Sequence, residues 1–488
     1  MIGGEQTRRP DCAGLLHDGG LALPVVGQTN APAATVESPG SASDAPVVGF
    51  VSLGCAKNLV DSEAMLGRIA ESGAVITGDE DAADTIVVNT CGFLESSRVE
   101  AMKIIAELGE RKRRGEVRRI IVAGCLVQRD GERIRREIPE VDALVGVNNR
   151  DDVARAVWSL RRRDAAEAYL GQYHSSQAPR WSDSGRLRLT PRHYAYLRIS
   201  EGCNQKCTFC TIPSIRGPMH CKTPAAIVEE ARELTDDGAR ELLLIGQDTT
   251  SYGADIGSDD GLARLLRTLD AACEAARWIR LMYVYPSVMT DAIIDAIAQC
   301  ERIVKYIDIP LQHINDRMLK RMHRRVTRKQ TEALLDKLRR RIPGVTIRTT
   351  FIVGFPGETE AEFTELLEFV RSFGFDAAGA FAYSLEKETP AGRMDGQLDE
   401  SVKRERYDRL MLAQQEVAFA QARRWIGREF NVVVDGPSAA GDSLARHAGQ
   451  APEVDAVCVV RDDNACPGEA FRVRCIAAAD YDLVVERV

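Results

Sequence analysis

The chain has 488 residues, of which 44% are hydrophobic and 28% are charged, and its net charge is −8. This length predicts about three domains, and the composition is typical of a folded globular protein rather than a disordered or membrane-spanning one. The acidic charge excludes a general polyanion binder.

Residues 1–46 are rich in Ala, Gly, Pro and Ser and lack the basic start and apolar core of a secretory signal. We predict that they form a disordered tail. The thirteen cysteines are an odd number spread over a long chain, which argues against a disulfide framework and for reduced thiols. The sequence therefore predicts a cytoplasmic protein in which some cysteines bind metal.

From 47 to 163, apolar runs of strand length alternate with helix-length segments, which predicts an open parallel α/β domain. The predicted strands are Val48–Leu53, Thr85–Asn89, Ile120–Ala123 and Ala143–Val145. Cysteines follow the first three strands closely, namely Cys55, Cys91 and Cys125. Because parallel strands end at one edge of a sheet, these thiols can converge although 34 to 36 residues separate them.

A single cysteine at a strand end is more often a small buried core residue than a ligand. Three at the same topological position, each next to a glycine, favour a metal or cluster site. A fourth ligand is missing from this pattern, which disfavours structural zinc and favours an iron-sulfur cluster with one open iron.

A polar stretch at 164–192 is predicted to be a linker, and a second alternating pattern follows at 193–398. Its six predicted strands are Tyr194–Ile199, Glu241–Ile245, Ile279–Val284, Val304–Ile309, Thr346–Val353 and Ala377–Tyr383. Six strand-helix units indicate a partial (β/α)6 barrel, in which the chemistry takes place at the carboxyl ends of the strands.

A helical connection at 399–426 leads to 427–488, where short strands between Gly, Pro and Asp predict a small all-β barrel or sandwich. This segment has eleven acidic and six basic residues, which favours a basic protein partner over a phosphate backbone. The acids predicted to form that surface are Asp435, Asp442, Asp455, Asp462, Asp463, Glu469, Asp480 and Asp482.

The segment SEGCNQKCTFCTIPSIRG places Cys203, Cys207 and Cys210 in a C-x3-C-x2-C triplet after the first barrel strand. Zinc needs a fourth ligand, and the next cysteine, Cys221, is eleven residues further on. The spacing is the signature of the radical S-adenosylmethionine (SAM) superfamily, whose 4Fe-4S cluster keeps one iron for SAM.

From residue 47 onward the chain resembles the methylthiotransferase family of radical SAM enzymes, with three separated cysteines, a radical SAM barrel and a terminal TRAM-type β domain. The resemblance implies two 4Fe-4S clusters, one held by Cys55, Cys91 and Cys125 and one by the C-x3-C-x2-C triplet. It also implies two SAM molecules, serving as methyl donor and radical source, together with a sulfur donor and a low-potential electron donor. It implies no catalytic residue beyond the cluster ligands.

The segments SLGCAKNLVDSE, GQDTTSYG, DIPLQH and RTTFIVGFPGET favour the RimO branch of this family. That branch methylthiolates the β-carbon of an aspartate in protein twelve of the small ribosomal subunit, a basic protein, and makes a tRNA partner unexpected. Two alternatives remain. One is a tRNA adenosine methylthiotransferase of the MiaB type, and the other is a non-catalytic iron-sulfur or zinc-binding module that binds RNA through its β domain.

The resemblance also suggests SAM contacts at Phe209, Gln247 and Gly354. Each has a simpler interpretation: Phe209 could pack its own loop, Gln247 could be solvated, and Gly354 could permit a tight turn beside Pro356. His313 could be a site residue or a hydrogen-bonded core histidine.

Overall fold

A computed structural model describes residues 45–159, 182–258, 261–439, 441–461 and 465–488. The predicted tail at 1–46, apart from its last two residues, and the linker at 164–192, as far as residue 181, lie outside the described residues. Within the described ranges, no helix combines the length and apolar character that crossing a bilayer requires. Eleven cysteines, including all six predicted ligands, are free thiols.

The first domain is a parallel sheet with helices on both faces. Its elements are β1 Val47–Ser52, α1 Ala56–Glu71, β2 Val75–Thr77, β3 Thr85–Thr90, α2 Glu95–Arg113, β4 Arg119–Gly124, α3 Cys125–Glu137, β5 Ala143–Gly146, a 3-10 turn Val147–Asp152 and α4 Val153–Ser159. All six residues of β3 are buried because Ile86 and Val88 pack on one face while Val87 packs on the other. Three-residue β2 was not predicted, since it lies at the sheet edge and is partly exposed.

The strand order of this sheet is β2-β1-β3-β4-β5. In this arrangement all strands run parallel, but the strands that follow β1 and β3 are added in opposite directions across the sheet. Ligands of open α/β sheets bind at that switch point, beyond the carboxyl ends of the strands. Cys55 follows β1 on one side of the switch point, and Cys91 follows β3 on the other.

The second domain is a six-stranded parallel sheet in the order β6-β9-β10-β11-β12-β13, with β6 and β13 at its edges. Its elements are β6 Tyr194–Arg198, β7 Ser200–Glu201, α5 Ile212–Arg216, β8 His220–Cys221, α6 Pro224–Asp236, β9 Glu241–Ile245, α7 Gly261–Ala272, β10 Trp278–Leu281, a 3-10 turn Pro286–Val288, α8 Asp291–Gln299, β11 Ile303–Asp308, α9 Asp316–Arg321, α10 Arg328–Arg341, β12 Thr346–Val353, α11 Glu360–Phe373, β13 Ala377–Ala382 and a 3-10 turn Ala391–Arg393. The predicted partial barrel is confirmed.

Two local features of the barrel differ from the prediction. The third strand ends at Leu281 rather than Val284, because Tyr283 adopts a left-handed backbone conformation with φ 60°. A short hairpin of β7 and β8 was not predicted, and its two strands bracket the loop with the cysteine triplet.

The inner face of the barrel is filled by its two neighbouring domains. Leu59 and Val60 of α1 pack there, as do Val433 and Ala451 of the C-terminal domain. The barrel residues that meet them are Tyr194, Tyr196, Leu243, Ile245, Trp278, Met282, Val304 and Tyr306. The burial of apolar surface therefore holds three domains around one centre.

The C-terminal domain is the predicted small β barrel. Helix α12, Glu400–Arg423, packs on the second domain and leads to this barrel. The barrel comprises β14 Glu429–Pro437, β15 Ser443–His447, β16 Cys458–Val460, β17 Ala470–Ala479 and β18 Asp482–Arg487. The strands close in the order β14-β15-β16-β18-β17 around Val432, Val434 and Cys458.

The predicted acidic surface of this domain is wrong for two of its acids. Asp455 accepts a 2.7 Å hydrogen bond from the Tyr306 hydroxyl, and Asp435 lies 2.8 Å from His193. Both carboxylates therefore point toward the barrel, where buried donors stabilise them. Asp462 and Asp463 lie outside the described residues.

We expect Gly67→Ala to destabilise the first domain by about 1–3 kcal/mol, although alanine favours a helix interior. A Cβ at Gly67 in α1 would lie 2.2 Å from the carbonyl oxygen of Gly185, and backbone atoms cannot move aside cheaply. Urea unfolding of the two proteins measures the difference.

Gly109→Ala in α2 is the matched control, because its Cβ would meet the Ile138 side chain at 3.2 Å, which can adjust. Equal unfolding midpoints for the two variants would contradict the close approach at Gly67.

Candidate active site

Cys55, Cys91 and Cys125 form the first thiol set. Three glycines allow the loops that carry these cysteines to approach one another. A Cβ at Gly54 would lie 2.8 Å from the Cβ of Cys91 and 3.4 Å from its Sγ. A Cβ at Gly92 would lie 2.7 Å from the carbonyl oxygen of Cys125, and one at Gly124 would lie 2.7 Å from that of Thr90. The loops after β1, β3 and β4 therefore touch one another at the carboxyl edge of the sheet.

The three thiols differ in exposure. Cys55 caps the N-terminus of α1 and is exposed, Cys91 is half-buried, and Cys125 is buried at the start of α3. Burial raises the pKa of Cys91 and raises that of Cys125 to about 12, although Arg216 lowers the latter. Of the three cysteines, Cys55 is therefore the most accessible to solvent.

Arg216 joins the first thiol set to the barrel. It ends α5, six residues after Cys210, and its Nη2 lies 3.2 Å from the Sγ of Cys125. The same guanidinium donates to Asp61 of α1 at 2.9 Å and to Glu201 of β7 at 2.9 Å. The loop that carries the cysteine triplet thus supplies a cation to a thiol of the other domain.

Asp61 and Glu201 belong to a larger buried network. Arg198 donates to Asp61 at 2.5 Å and to Glu201 at 2.7 Å, and Arg150 lies 3.1 Å from Asp61. Burial alone would raise the pKa of Glu201, but Arg216, Arg198 and Arg150 bring it down to about 2. The carboxylate of Glu201 is therefore ionised at neutral pH.

The second thiol set lies on the loop between β7 and β8. Cys203, Cys207 and Cys210 are half-buried, and the loop is tightened by a 3.2 Å hydrogen bond from the backbone N of Cys210 to the carbonyl of Cys207. Burial raises the pKa of Cys203 to about 11 and that of Cys210 to about 12. Gly202 permits the turn, because a Cβ there would lie 2.2 Å from the carbonyl oxygen of Pro218.

An arginine and a tyrosine flank this second set. Arg324 lies 3.7 Å from the Sγ of Cys207, and its guanidinium stacks 4.0 Å from the ring centroid of Tyr285. The Tyr285 hydroxyl lies 3.9 Å from the same Sγ. Each thiol set thus has one sulfur in contact with an arginine.

Among the residues that the structure describes, no three Cys, His, Asp or Glu side chains could hold one metal ion together. A multi-iron cluster differs, since its thiolates bind separate irons and lie further apart. Three thiols and an adjacent guanidinium therefore fit an anionic cluster at each set and do not form a structural zinc site.

The residues predicted to contact SAM lie at the carboxyl edge of the barrel. Gln247 donates from Nε2 to Glu201 at 2.6 Å, while its buried Oε1 has no hydrogen-bond partner within the described parts of the chain. Phe209 packs against an apolar cluster that includes Phe355 and Tyr383. Gly354 has φ 71°, and a Cβ there would lie 2.5 Å from the Lys403 Cγ in α12. Packing against α12 thus explains the glycine.

His313 is a hydrogen-bonded core histidine. It is fully buried, its Nε2 lies 3.0 Å from Glu358, and its Nδ1 accepts from the backbone N of Asn315 at 3.0 Å. Glu358 also accepts from the backbone N of Gly354. His313 therefore stabilises the loop around Gly354 through Glu358, the hydrogen-bond partner that both residues share.

Sequence reasoning missed the buried cations around both thiol sets. Arg216 and Lys57 follow predicted ligands by six and two residues, and this proximity was the available signal. Arg324 is more than a hundred residues from the cysteine it contacts and has no local signal. Lys57 is buried, and its Nζ lies 2.9 Å from the ring centroid of Tyr283.

Three regions of the chain match models of known families. Residues 47–146 match the uncharacterized protein family UPF0004, residues 197–370 match the Radical SAM superfamily, and residues 426–488 match the TRAM domain. These regions correspond to the three parts of the fold described above.

Proteins with curated names are similar over nearly the whole chain. The ribosomal protein uS12 methylthiotransferase RimO of Trichlorobacter lovleyi is 43% identical over 90% of this chain and 98% of its own. The protein of the same name from Geobacter sulfurreducens is 44% identical over 90% and 98%.

The solved structure of the radical SAM methyltransferase TsrM from Kitasatospora setae, with cobalamin and a [4Fe-4S] cluster bound, superposes with a TM-score of 0.52. Its identity is 15%, over 71% of this chain and 77% of TsrM. This likeness shows a shared fold.

We expect Arg216→Gln to destabilise the protein by about 3–5 kcal/mol, because it leaves buried Asp61 and Glu201 short of a partner. Urea unfolding measures the loss. Arg133→Gln in α3 is the matched control, since its pair with Glu137 is exposed and contributes at most about 1 kcal/mol. Similar losses in both variants would show that Arg216 does not organise the network.

Proposed function

The chain belongs to the RimO type of the methylthiotransferase family of radical SAM enzymes, and we propose that it methylthiolates the β-carbon of an aspartate in ribosomal protein uS12. The resemblance seen in the sequence motifs is confirmed by relatives of about 43% identity over 90% of the chain. The enzyme class follows from this membership, and the substrate follows from the names of those relatives.

The observation that carries the proposal is the contact between the loop of the second thiol set and a cysteine of the first. Arg216 follows Cys203, Cys207 and Cys210 on the same connection, and its guanidinium contacts the Sγ of Cys125 in the other set. An enzyme that exchanges hydrogen on carbon for sulfur needs a radical source and a sulfur source on either side of one substrate atom. The loops that carry the two thiol sets touch across the boundary between the first domain and the barrel, which supports such an arrangement.

We assign one 4Fe-4S cluster to Cys55, Cys91 and Cys125 and a second to Cys203, Cys207 and Cys210. When bound, these clusters and SAM supply a radical that removes hydrogen from carbon, together with the sulfur and methyl group that replace it. The residues of the chain hold the reactants. Arg216 and Arg324 balance the charge of the thiolates, and the packed inner face of the barrel excludes water.

Gln247 is the best-supported SAM contact of the three that we propose. Its buried Oε1 faces no protein donor among the described residues, and SAM offers both hydroxyl and ammonium donors. Phe209 and Gly354 are proposed on the resemblance alone, since packing accounts for both.

The proposed partners are uS12, a low-potential electron donor and a sulfur donor, and a ribosomal substrate places the reaction in the cytoplasm. A basic protein suits a chain of net charge −8. Two exposed arginines of the β domain are not available to tRNA phosphates, because Arg472 and Arg474 both pair with Glu429, at 3.1 and 2.8 Å. Paired arginines neutralise phosphates poorly.

Replacing Cys203, Cys207 and Cys210 by Ala should halve the iron bound after anaerobic reconstitution and abolish reductive cleavage of SAM. The other cluster remains but has no role in making the radical. The complementary variant of Cys55, Cys91 and Cys125 should also lose half the iron, yet it should cleave SAM and transfer no sulfur. Iron analysis and chromatography of 5'-deoxyadenosine measure both effects.

Cys221→Ala is the control, since this half-buried thiol lies beside the triplet loop and is assigned to neither cluster. Its iron content should match that of the unmodified enzyme. Production of 5'-deoxyadenosine by the first triple variant would refute the assignment of the two clusters.

A strain that lacks this protein should lose the methylthio group from uS12 and keep its modified tRNA nucleosides. Mass spectrometry of ribosomal proteins and of digested total tRNA tests both in the same cells. Loss of a methylthiolated adenosine with uS12 unchanged would instead support the MiaB type of activity.

A further inference from the structure

Lys57 lies where the first thiol set meets the carboxyl edge of the barrel. It lies in the first turn of α1, two residues after Cys55, and it is 8% exposed. Leu59 and Val60 of the same helix pack inside the barrel, so the start of α1 lies over the barrel mouth. The ammonium group rests 2.9 Å from the ring centroid of Tyr283, just beyond the end of β10.

The backbone under this ammonium group is strained and held firmly. Tyr283 has φ 60°, which is unfavourable for a bulky side chain. Its N donates to Asp308 at 3.0 Å, and its carbonyl accepts from the hydroxyl of Thr249 at 3.1 Å. Strain that the surrounding structure enforces is typical of residues that position a ligand.

Lys57 differs from nearly all other buried cations of the described chain, because it makes no ion pair or hydrogen bond there. The buried cations that do pair with a carboxylate are Arg98, Arg150, Arg186, Arg198, Arg216, Lys222, Arg280, Lys403, Arg406 and Arg446. Asp308, the nearby acid, is already engaged by Arg348 at 2.8 Å. A buried ammonium that has only an aromatic ring as partner gains strongly from an anionic ligand.

The thiols are not that ligand. Arg216 contacts Cys125 and Arg324 contacts Cys207, so each thiol set already has its cation. Within the described residues no bond joins Lys57 to Cys55; its Nζ is directed at Tyr283 instead. The ammonium group therefore lies between the start of α1, beside Cys55, and the carboxyl edge of the barrel, and it has no carboxylate partner among the described residues.

We propose that Lys57 binds the side-chain carboxylate of the target residue and thereby selects an aspartate. This rests on the proposed function, in which the carbon that reacts bears that carboxylate directly. A cation fixed beside the proposed sulfur source, at the mouth of the barrel, holds such a carbon in place for the reaction. An uncharged amide side chain can accept a hydrogen bond but leaves the charge of the ammonium group uncompensated.

The test compares two peptides from uS12, one with the target aspartate and one with asparagine in its place. Fluorescence anisotropy measures their binding to the full-length enzyme with both clusters reconstituted and SAM present. The unmodified enzyme should prefer the aspartate peptide roughly 10- to 100-fold, as expected for a hydrogen bond to a charged group. Lys57→Met should remove the preference, and Lys57→Arg should restore part of it.

Lys103→Met is the matched control, because it removes the same charge from an exposed position in α2 and should leave the preference unchanged. A preference that survives in Lys57→Met, or a loss of SAM affinity in its place, would overturn the role of Lys57 alone. Equal binding of both peptides by the unmodified enzyme would overturn the proposed substrate as well. Unchanged binding of the asparagine peptide by Lys57→Met shows that the variant is folded and that only the preference is lost.

Discussion

A buried network of charges centred on Arg216 is the interaction on which the site depends. Its guanidinium contacts Asp61 of the first domain, Glu201 of the barrel and the thiol of Cys125. Charges taken out of water are stable only when every partner is in place, so such a network tolerates one relative position of the two domains. The apolar contacts of Leu59 and Val60 stabilise the association of the two domains, whereas the charges fix their relative position.

The open barrel depends on its neighbours for a complete core. α1 fills its inner face near the mouth, and the C-terminal barrel fills the opposite part, where Glu453 accepts from the hydroxyls of Tyr194 and Tyr196 at 2.8 and 2.9 Å. Arg446 of the same domain donates to Glu241 of the barrel at 2.9 Å. The C-terminal domain is thus a structural part of the enzyme, and its inward acids serve the fold.

Long buried strands were predictable because their apolar runs are continuous. The bounds of β9 and β12 are those expected from the sequence. Short or edge elements were missed: β2 has three residues and the hairpin of β7 and β8 has two in each strand. These pieces owe their conformation to the neighbours they pair with, and a local pattern cannot report that. The prediction of an acidic surface on the last domain was wrong for Asp435 and Asp455 for a related reason, since composition does not say which way a side chain points.

The sequence by itself determined the fold class and singled out the six thiols that we propose as cluster ligands, because strand periodicity and cysteine spacing are local properties of the chain. The tertiary structure decided the rest of the site. Arg324 approaches Cys207 from a distant segment, and Gly354 is glycine because α12 lies against it. The place of Lys57 above Tyr283 depends on how one domain docks on another. Such contacts join residues that are far apart in the chain, so only the folded molecule specifies them.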